Sequence, residues 1–586
     1  GRQGVATSIG HSPISGLIDP VAGSRNSVAE ALTNIIWAPL DKGIKSVSLS
    51  ANWMWPCRNE GEDARLYEAV QAISDFAIEL GINIPTGKDS LSMKQKYPNE
   101  EVIAPGTVIV SAAGHCNEIT RAVEPVFQKQ GGPVYYLNLS GQEFRLGGSS
   151  FAQTRNRIGA QAPDINSATD FARAFDLIQL LIKEDKILAG HDISAGGMLT
   201  TLLEMCFADN ELGAEVDLTA LGENDSVRLF FAENGGVVFQ AVDDSIEAAF
   251  SDVALPFFKV GHVIDEGILR VKNGPEAYEF DVSRLRDVWF ETSFLLEQKQ
   301  SGIQKATERF DNYKKQALHY QFPAGFSGKK PKMDGSRPKP KAAILREKGS
   351  NSERELANAL YLAGFEVRDV HMTDLISGRE TLEDVRFLGA VGGFSNSDVL
   401  GSAKGWAGAF LYNEKAKNSL ERFFQREDVL SIGICNGCQL FVELDLINPD
   451  HEQKAKMLHN DTHKHECGFT SVVIQDNNSV MLSGLAGARL GIWISHGEGK
   501  FQLPMPEDRY NIVAKYGYAA YPANPNGSDY NAAMIASPDG RHLATMPHLE
   551  RSTFPWNWAH YPKDRKDEVS PWLEAFVNAK KWLEGK

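Results

Sequence analysis

Several things are scarce in this sequence, and each scarcity excludes something. Six cysteines in 586 residues cannot build a disulfide framework, so hydrophobic cores must hold the fold and a reducing cytoplasm is the expected setting. No window reaches the roughly 18 uncharged apolar residues that a membrane-crossing helix needs, and no charged-then-apolar leader opens the chain. A membrane is therefore not an expected partner. Positive charge is also in deficit, with 60 Lys and Arg against 76 Asp and Glu, a formal charge of -16. Such a surface repels a phosphate backbone, so nucleic acid is a poor partner, although backbone amides or a bound cation can still hold small anions. An initiator Met is lacking too. The opening "GRQGVATSIG" reads like the middle of a domain, which leads us to expect a fragment or a processed chain.

What remains is an ordinary globular composition, 42% hydrophobic and 23% charged, over a length that suggests roughly three to five domains. Pro, Gly and Lys crowd into "FPAGFSGKKPKMDGSRPKPKAAIL", which cannot bury enough apolar surface to fold alone, so residues 322–341 are expected to be a linker. Gly131, Gly132 and Pro133 mark a weaker break, and we place a boundary between residues 1–125 and 126–321. Before the linker the patterns are mixed α+β. After it, over 342–586, strands and helices alternate: "AAILRE" as a strand, "SNSERELANALYLAGF" as a capped helix closed by Gly364, then the strands "EVRDVHM" and "VRFLGAVGGF". A helix through Ser419 to Arg426, the strand Val429 to Ile434 and another helix follow. This rhythm predicts a doubly wound parallel sheet of the α/β class, with its functional groups at the carboxyl ends of the strands.

One of those strands runs into "GICNGCQ". Cys435 there is a nucleophile, half of a redox pair with Cys438, a zinc ligand, or a buried thiol. The spacing Gly433, Cys435, Gly437 is the thiol counterpart of a nucleophile elbow, in which a strand turns sharply into a helix and the flanking positions carry no side chain. The sulfur then stands at a helix N-terminus, whose positive dipole end favours thiolate. No second Cys pair exists to complete a zinc site. A nucleophile also needs a base and an oxyanion site. "PHLER" offers His548 and Glu550 at i and i+2, on one side of an extended segment, so the carboxylate can orient the imidazole. Gly392, Gly393 and Phe394 form a loop whose amides can approach a substrate, and the amide of Asn436 is a second donor. "MLHNDTHKHECGF" crowds His459, His463, His465 and Cys467. Alternation in a strand would put the last three on one face, and a metal is the other reading.

Together "GICNGCQ", "GGFSNSDVLGSAKGWA", "SHGEGKF" and "PHLER" resemble the class I glutamine amidotransferase domain of the large single-chain phosphoribosylformylglycinamidine synthases. That resemblance implies a flavodoxin-like fold, Cys435 as nucleophile, His548 as base and Glu550 as its orienting group. It makes His496 of "SHGEGKF" a pocket wall and assigns no metal to the histidine-rich stretch.

In the first part of the chain, "AGSRNSVAEALTNIIWAPL" places Val28, Leu32, Ile35 and Ile36 on one helical face. Glu30 and Asn34 share another face, where two oxygen ligands suit Mg²⁺ and an ordinary solvated surface gives the same pattern. "ILAGHDISAGGMLTTLLEMCF" runs from a strand through Asp192 and Ser194 into Gly196 and Gly197, and glycines opening a helix expose amides for phosphate. With "SANWMWP", "GKDSLSM" and "LGGSSFAQ", these segments resemble the aminoimidazole ribonucleotide synthetase-like superfamily. By that likeness 1–125 and 126–321 are N-type and C-type α+β subdomains. Glu30, Asn34 and Asp192 are then Mg²⁺ ligands, and Ser194 touches an auxiliary ATP or ADP.

The combined expectation is glutamine-dependent, ATP-driven amidation of formylglycinamide ribonucleotide, in partnership with a first synthetase half that this chain lacks. The rivals are a Cys-His-Glu hydrolase or protease and a non-catalytic, nucleotide-stabilised scaffold.

Overall fold

The computed structural model describes residues 2–129, 131–209, 211–252, 256–315, 317–332 and 338–585. The chain divides into two compact units, Gly1–Trp289 and Phe290–Lys586. That division lies upstream of the expected linker. Residues 333–337 of the linker fall outside the described residues, but its earlier part is pinned rather than loose. Phe322 stacks near Trp558 and lies 4.2 Å beneath the Arg565 guanidinium, and the Gly328 carbonyl accepts from the Glu568 amide at 2.7 Å. Cation–π attraction and ring burial hold a stretch that composition alone marks as solvated.

The first unit carries two larger sheets and a two-stranded one that pairs Lys94–Lys96 with Glu101–Ile103. The four-stranded one orders β1 (Gly4–His11), β2 (Val47–Met54), β3 (Asn83–Ser90) and β4 (Thr107–Cys116) as β1-β4-β2-β3. Against it packs α1 (Pro20–Ile35), capped by Asp19, whose carboxylate accepts from the amides of Val21 and Ala22. The stripe Val28, Leu32, Ile35 and Ile36 is fully buried, as its period requires. The second sheet has seven strands and includes β5 (Ile187–Asp192), which leads through Gly196 (φ 91°) and Gly197 (φ 71°) into α2 (Gly197–Phe207).

In the second unit nine strands form one sheet. Its parallel part is β6 (Lys341–Arg346), β7 (Glu366–His371), β8 (Phe387–Ala390), β9 (Leu430–Ile434) and β14 (His542–Thr545), in the order β7-β6-β8-β9-β14. Four antiparallel strands continue it: β13 (Ala532–Ala536), β12 (Asn511–Tyr516), β10 (Glu466–Ile474) and β11 (Arg489–His496). The doubly wound reading captured the parallel core and missed this extension. All five residues of β9 are buried, as a central strand covered on both faces demands. The predicted helix after "SNSER" is α3 (Glu353–Ala363), closed by Gly364 at φ 101°. Its N-terminus differs from expectation. Ser352 makes no side-chain cap, and its hydroxyl instead accepts from the Gly392 amide at 3.4 Å.

Candidate active site

Strand β9 ends at Ile434 and α4 (Asn436–Glu443) begins two residues later, so the whole turn falls on Cys435, with φ 53° and ψ -103°. A non-glycine residue in the left-handed region costs about 1–3 kcal/mol and persists only where its surroundings enforce it. The surroundings here are two glycines that cannot be replaced. A Cβ on Gly433 would strike the Gly437 carbonyl, and one on Gly437 would strike the Ala390 carbonyl. The Cys435 amide donates to the Thr545 carbonyl of β14 at 2.8 Å. Because β14 is the parallel neighbour of β9, with Ile434 opposite Thr545, the segment after β14 emerges beside Cys435. His548 lies on it, tied down by its own amide to the Trp493 carbonyl at 2.9 Å. It sits in an isolated antiparallel bridge to Trp493.

His548 Nδ1 donates to Glu550 Oε1 at 2.6 Å, and both side chains are almost fully buried. Burial works against charge on the imidazole, but Glu550 and the neighbouring Cys435 outweigh it and push His548 up to about 10. Burial likewise opposes the Glu550 carboxylate, and His548 overcomes it, so that carboxyl lies below its ordinary range. The Cys435 thiol donates to the Ser495 carbonyl at 3.4 Å, while His548 Nε2 is buried with no hydrogen-bond partner among the described residues. A charged imidazole beside a sulfur can stabilise the thiolate and then protonate a leaving amine. Gly392 completes the packing. A Cβ there would lie 3.0 Å from His548 Cε1 and 3.4 Å from Cys435 Cβ.

The predicted oxyanion loop is partly spent. The Phe394 amide donates to the Gly349 carbonyl at 2.9 Å and the Gly392 amide to Ser352, so neither points freely at a substrate in this conformation. The Asn436 amide, at the start of α4, has no intrahelical acceptor. Cys435, His548, Gly393 and Phe394 line one cleft. Sequence reasoning missed other residues of that cleft. Asp398 and Glu498 both reach it, and burial followed by the charge of Glu498 holds Asp398 above its ordinary range. Glu498 accepts from the Ser402 hydroxyl at 2.5 Å, and Gln439 Nε2 donates to the Glu498 carbonyl at 2.7 Å. Asn396, Ser397, Asp398, Ser402 and Ala403 all adopt positive φ, from 45° to 58°, the kind of strain that collects at ligand-binding loops. Asp398 and Glu498 stand inside motifs already quoted, so the signal was present and unused.

The histidine-rich stretch does not form a strand face. His463 turns at φ 54°, and β10 starts only at Glu466. Among the described residues no group of three or more His, Cys, Asp or Glu is placed to hold a metal ion. Cys438 is fully buried, and burial holds its thiol well above the ordinary range, which disfavours a redox dithiol.

In the first unit the expected ligands are only partly gathered. Ser194 Oγ donates to Glu30 Oε1 at 2.8 Å, and the His11 amide donates to Glu30 Oε2 at 2.8 Å. Burial, with the nearby Asp192 charge adding to it, holds the Glu30 carboxyl above its ordinary range. Asp192 Oδ2 is buried without a hydrogen-bond partner. Two carboxylates that repel each other, one with an unpaired oxygen, fit a divalent cation. Asn34 is exposed, and its Nδ2 donates to the Glu30 carbonyl at 3.1 Å. Glu30 and Ser194 line a cavity that neither Asn34 nor Asp192 reaches. The glycine turn is no open phosphate cradle. The Gly196 amide donates to the Glu233 carboxylate at 2.8 Å and the Gly197 amide to the Ser194 carbonyl at 3.0 Å.

Comparison with known proteins follows the same division. Residues 339–583 match the family model of the CobB/CobQ-like glutamine amidotransferase domain, 1–115 that of the FGAR-AT PurM_N-like domain, and 131–273 that of the AIR synthase related protein, C-terminal domain. The probable phosphoribosylformylglycinamidine synthase, chloroplastic/mitochondrial, of Arabidopsis thaliana is 39% identical over 99% of this chain and 43% of its own length. The chain is similar over nearly its whole length to phosphoribosylformylglycinamidine synthases. The Homo sapiens phosphoribosylformylglycinamidine synthase is 38% identical over 99% of this chain and 46% of its own length. The chain thus spans less than half the length of these curated relatives. AIR synthase-like domains precede a glutamine amidotransferase domain, in agreement with the fold class read from the motifs. T. maritima PurL complexed with ATP aligns at 15% identity and a TM-score of 0.38, over 48% of this chain and 44% of that one, too distant to bear on function. No helix among the described residues is long and apolar enough to cross a membrane.

Proposed function

We propose that this chain supplies the glutaminase of a cytoplasmic enzyme that converts formylglycinamide ribonucleotide to formylglycinamidine ribonucleotide in purine biosynthesis, using glutamine and ATP. The observation that carries the reading is the buried pairing of His548 with Glu550 at 2.6 Å beside a cysteine held at φ 53° on a strand-to-helix turn. Cys435 attacks the carboxamide carbon of glutamine, and its proton passes through His548 to the departing nitrogen. A γ-glutamyl thioester and ammonia result, and water then releases glutamate. Glu550 keeps the imidazole in place and in charge. Backbone amides of Asn436 and of the Gly392 to Phe394 loop hold the oxyanion, once the Gly392 amide leaves Ser352 and the Phe394 amide leaves Gly349.

The ammonia then displaces a phosphate-activated formyl amide oxygen on the ribonucleotide, at a site completed by the part of the relatives' length that this chain does not span. In this reading 1–125 and 126–321 are the synthetase-like subdomains, 322–341 the connector and 342–586 the amidotransferase domain. Asp192 and Glu30, with Asn34 beside them, would hold Mg²⁺, which would neutralise the phosphates of an ATP or ADP contacted by Ser194.

The test is glutamate release by this chain, alone and with the relatives' remaining segment, ATP and the ribonucleotide supplied, beside a Cys435→Ala control. A glutamine-like electrophile should add its mass at Cys435. Peptide cleavage with indifference to glutamine would favour a protease, and no glutamate under any of these conditions would favour a scaffold.

A further inference from the structure

His496 lines the same cleft as Cys435 and His548, yet the triad makes no use of it. It closes β11 directly after Ser495, whose carbonyl receives the Cys435 thiol. Its side chain is buried, at 2% exposure. The hydrogen bonds of Asn460 decide which ring nitrogen carries the proton. Asn460 Nδ2 donates to the carbonyls of Lys464 at 3.0 Å and His496 at 2.8 Å, and Asn460 Oδ1 accepts from the Gly499 amide at 3.0 Å. Flipping that amide would set oxygen against two carbonyls and NH₂ against an N–H, so its orientation is determined. His496 Nδ1 lies 3.2 Å from the same Oδ1 and must donate to it. Nε2 is left as a bare lone pair, buried and without a hydrogen-bond partner among the described residues. Burial first, and then the charge of His548, push His496 down to about 3. Near neutral pH this nitrogen accepts hydrogen bonds and carries no proton.

A buried acceptor with no donor costs about 1–3 kcal/mol, and a cost of that kind inside a reactive cleft points to a ligand that relieves it. We propose that His496 is a specificity-determining residue of the glutaminase, accepting through Nε2 an N–H from the carboxamide nitrogen of glutamine. The inference rests on the glutaminase reading above. The substrate amide offers two N–H groups, whereas the product carboxylate offers none and turns its own lone pairs toward Nε2, so an acceptor-only group separates glutamine from glutamate. As the C–N bond breaks and the S–C bond forms, the proton that completes ammonia comes from His548, and His496 gives and takes none. Ammonia held by its N–H keeps its lone pair, which a protonated imidazole in the same place would capture. Nε2 of His548 is closed to water in the same way as Nε2 of His496, so admitting a carboxamide to the base requires the same opening of the cleft that admits it to His496.

The test compares kcat/KM for glutamine with that for glutamic acid γ-methyl ester, whose leaving atom bears no N–H. Wild type, His496→Leu and His496→Gln are measured under the conditions already described. In His496→Leu the glutamine value should fall about 10- to 100-fold and the ester value less than about threefold. Glutamate should inhibit that variant more strongly than wild type, and His496→Gln, whose side-chain oxygen can accept, should recover part of the glutamine rate. Equal losses on both substrates would mark a structural role and overturn the proposal, as would an unchanged glutamine rate. If His496→Leu does not fold, the ¹⁵N signal of His496 Nε2 in the Cys435→Ala chain decides: saturating glutamine should shift it and glutamate should not. Absence of a glutamine shift overturns the proposal. A wild-type chain that turns over neither substrate and matches Cys435→Ala would instead remove the glutaminase reading itself.

Discussion

The two candidate sites are built on opposite principles. Around Cys435 the backbone does the work: a left-handed cysteine, two glycines with no room for a Cβ, and a histidine delivered beside it by the neighbouring strand. Around Glu30 and Asp192 side chains and charge dominate, with one carboxylate oxygen unpaired and the glycine-turn amide already taken by Glu233. The first arrangement is complete within its own unit. The second has the character of a site that gains its stability when a counter-charge arrives.

The sharpest way to break this contrast is Cys435→Ala, which should abolish glutamate release by about 10⁴-fold or more while leaving the melting temperature near wild type. A residual rate within tenfold of wild type would remove the nucleophile. Glu550→Gln should cost about 10³-fold in kcat, because the imidazole loses both its orientation and its counter-charge. The same variant carries a pH signature. His548 is raised to about 10 in the folded protein from an ordinary value near 6.5. Its pairing therefore stabilises the fold fully below pH ~6.5 and is lost as pH climbs toward 10. Wild type should lose melting temperature across that interval and Glu550→Gln should lose less. Equal slopes would show that the pair does not govern it.

Gly437→Ala probes the backbone itself. The added methyl meets the Ala390 carbonyl, and urea unfolding should show a loss of about 2–4 kcal/mol. A neutral result would mean that the elbow relaxes and that glycine is not required there. The smallest effect belongs to the first unit. Asp192→Asn relieves repulsion toward Glu30 but weakens the contact of Asp192 Oδ1 with His191 Nδ1 at 3.2 Å, so the stability of the ligand-free chain should change by about 1 kcal/mol or less. Wild type should gain melting temperature with Mg²⁺ and ATP, and this variant should not. A variant that still responds to Mg²⁺ and ATP would clear Asp192 of any ligand role.

Legibility differed between the sites for the same reason. Gly433, Cys435 and Gly437 are adjacent in sequence, and their steric requirement acts within one turn, so the elbow can be read from five letters. His548 and Glu550 could be paired by spacing, but the bridge to Trp493 that fixes them depends on β11, a strand in the antiparallel extension that the alternating pattern did not announce. Glu30 and Ser194 were picked from separate segments and do meet, at 2.8 Å. Asn34 followed from helical periodicity and the family resemblance, which place it one turn from Glu30 but say nothing of which side of the cavity it faces. The engagement of Phe394 with Gly349, and of Gly196 with Glu233, links residues 45 and 37 positions apart. Such pairings leave no local trace.

Local chemistry in the chain was enough to determine the strand-to-helix turn at Cys435, the buried stripe of α1 and the parallel core, since each follows from sterics or periodicity over a few residues. Only the folded arrangement decided which amides remain free, that His496 presents a bare nitrogen, and that the histidine-rich stretch holds no metal-binding cluster among the described residues. Those outcomes depend on hydrogen-bond partners brought together across the sheet, where burial sets the cost of every unpaired group.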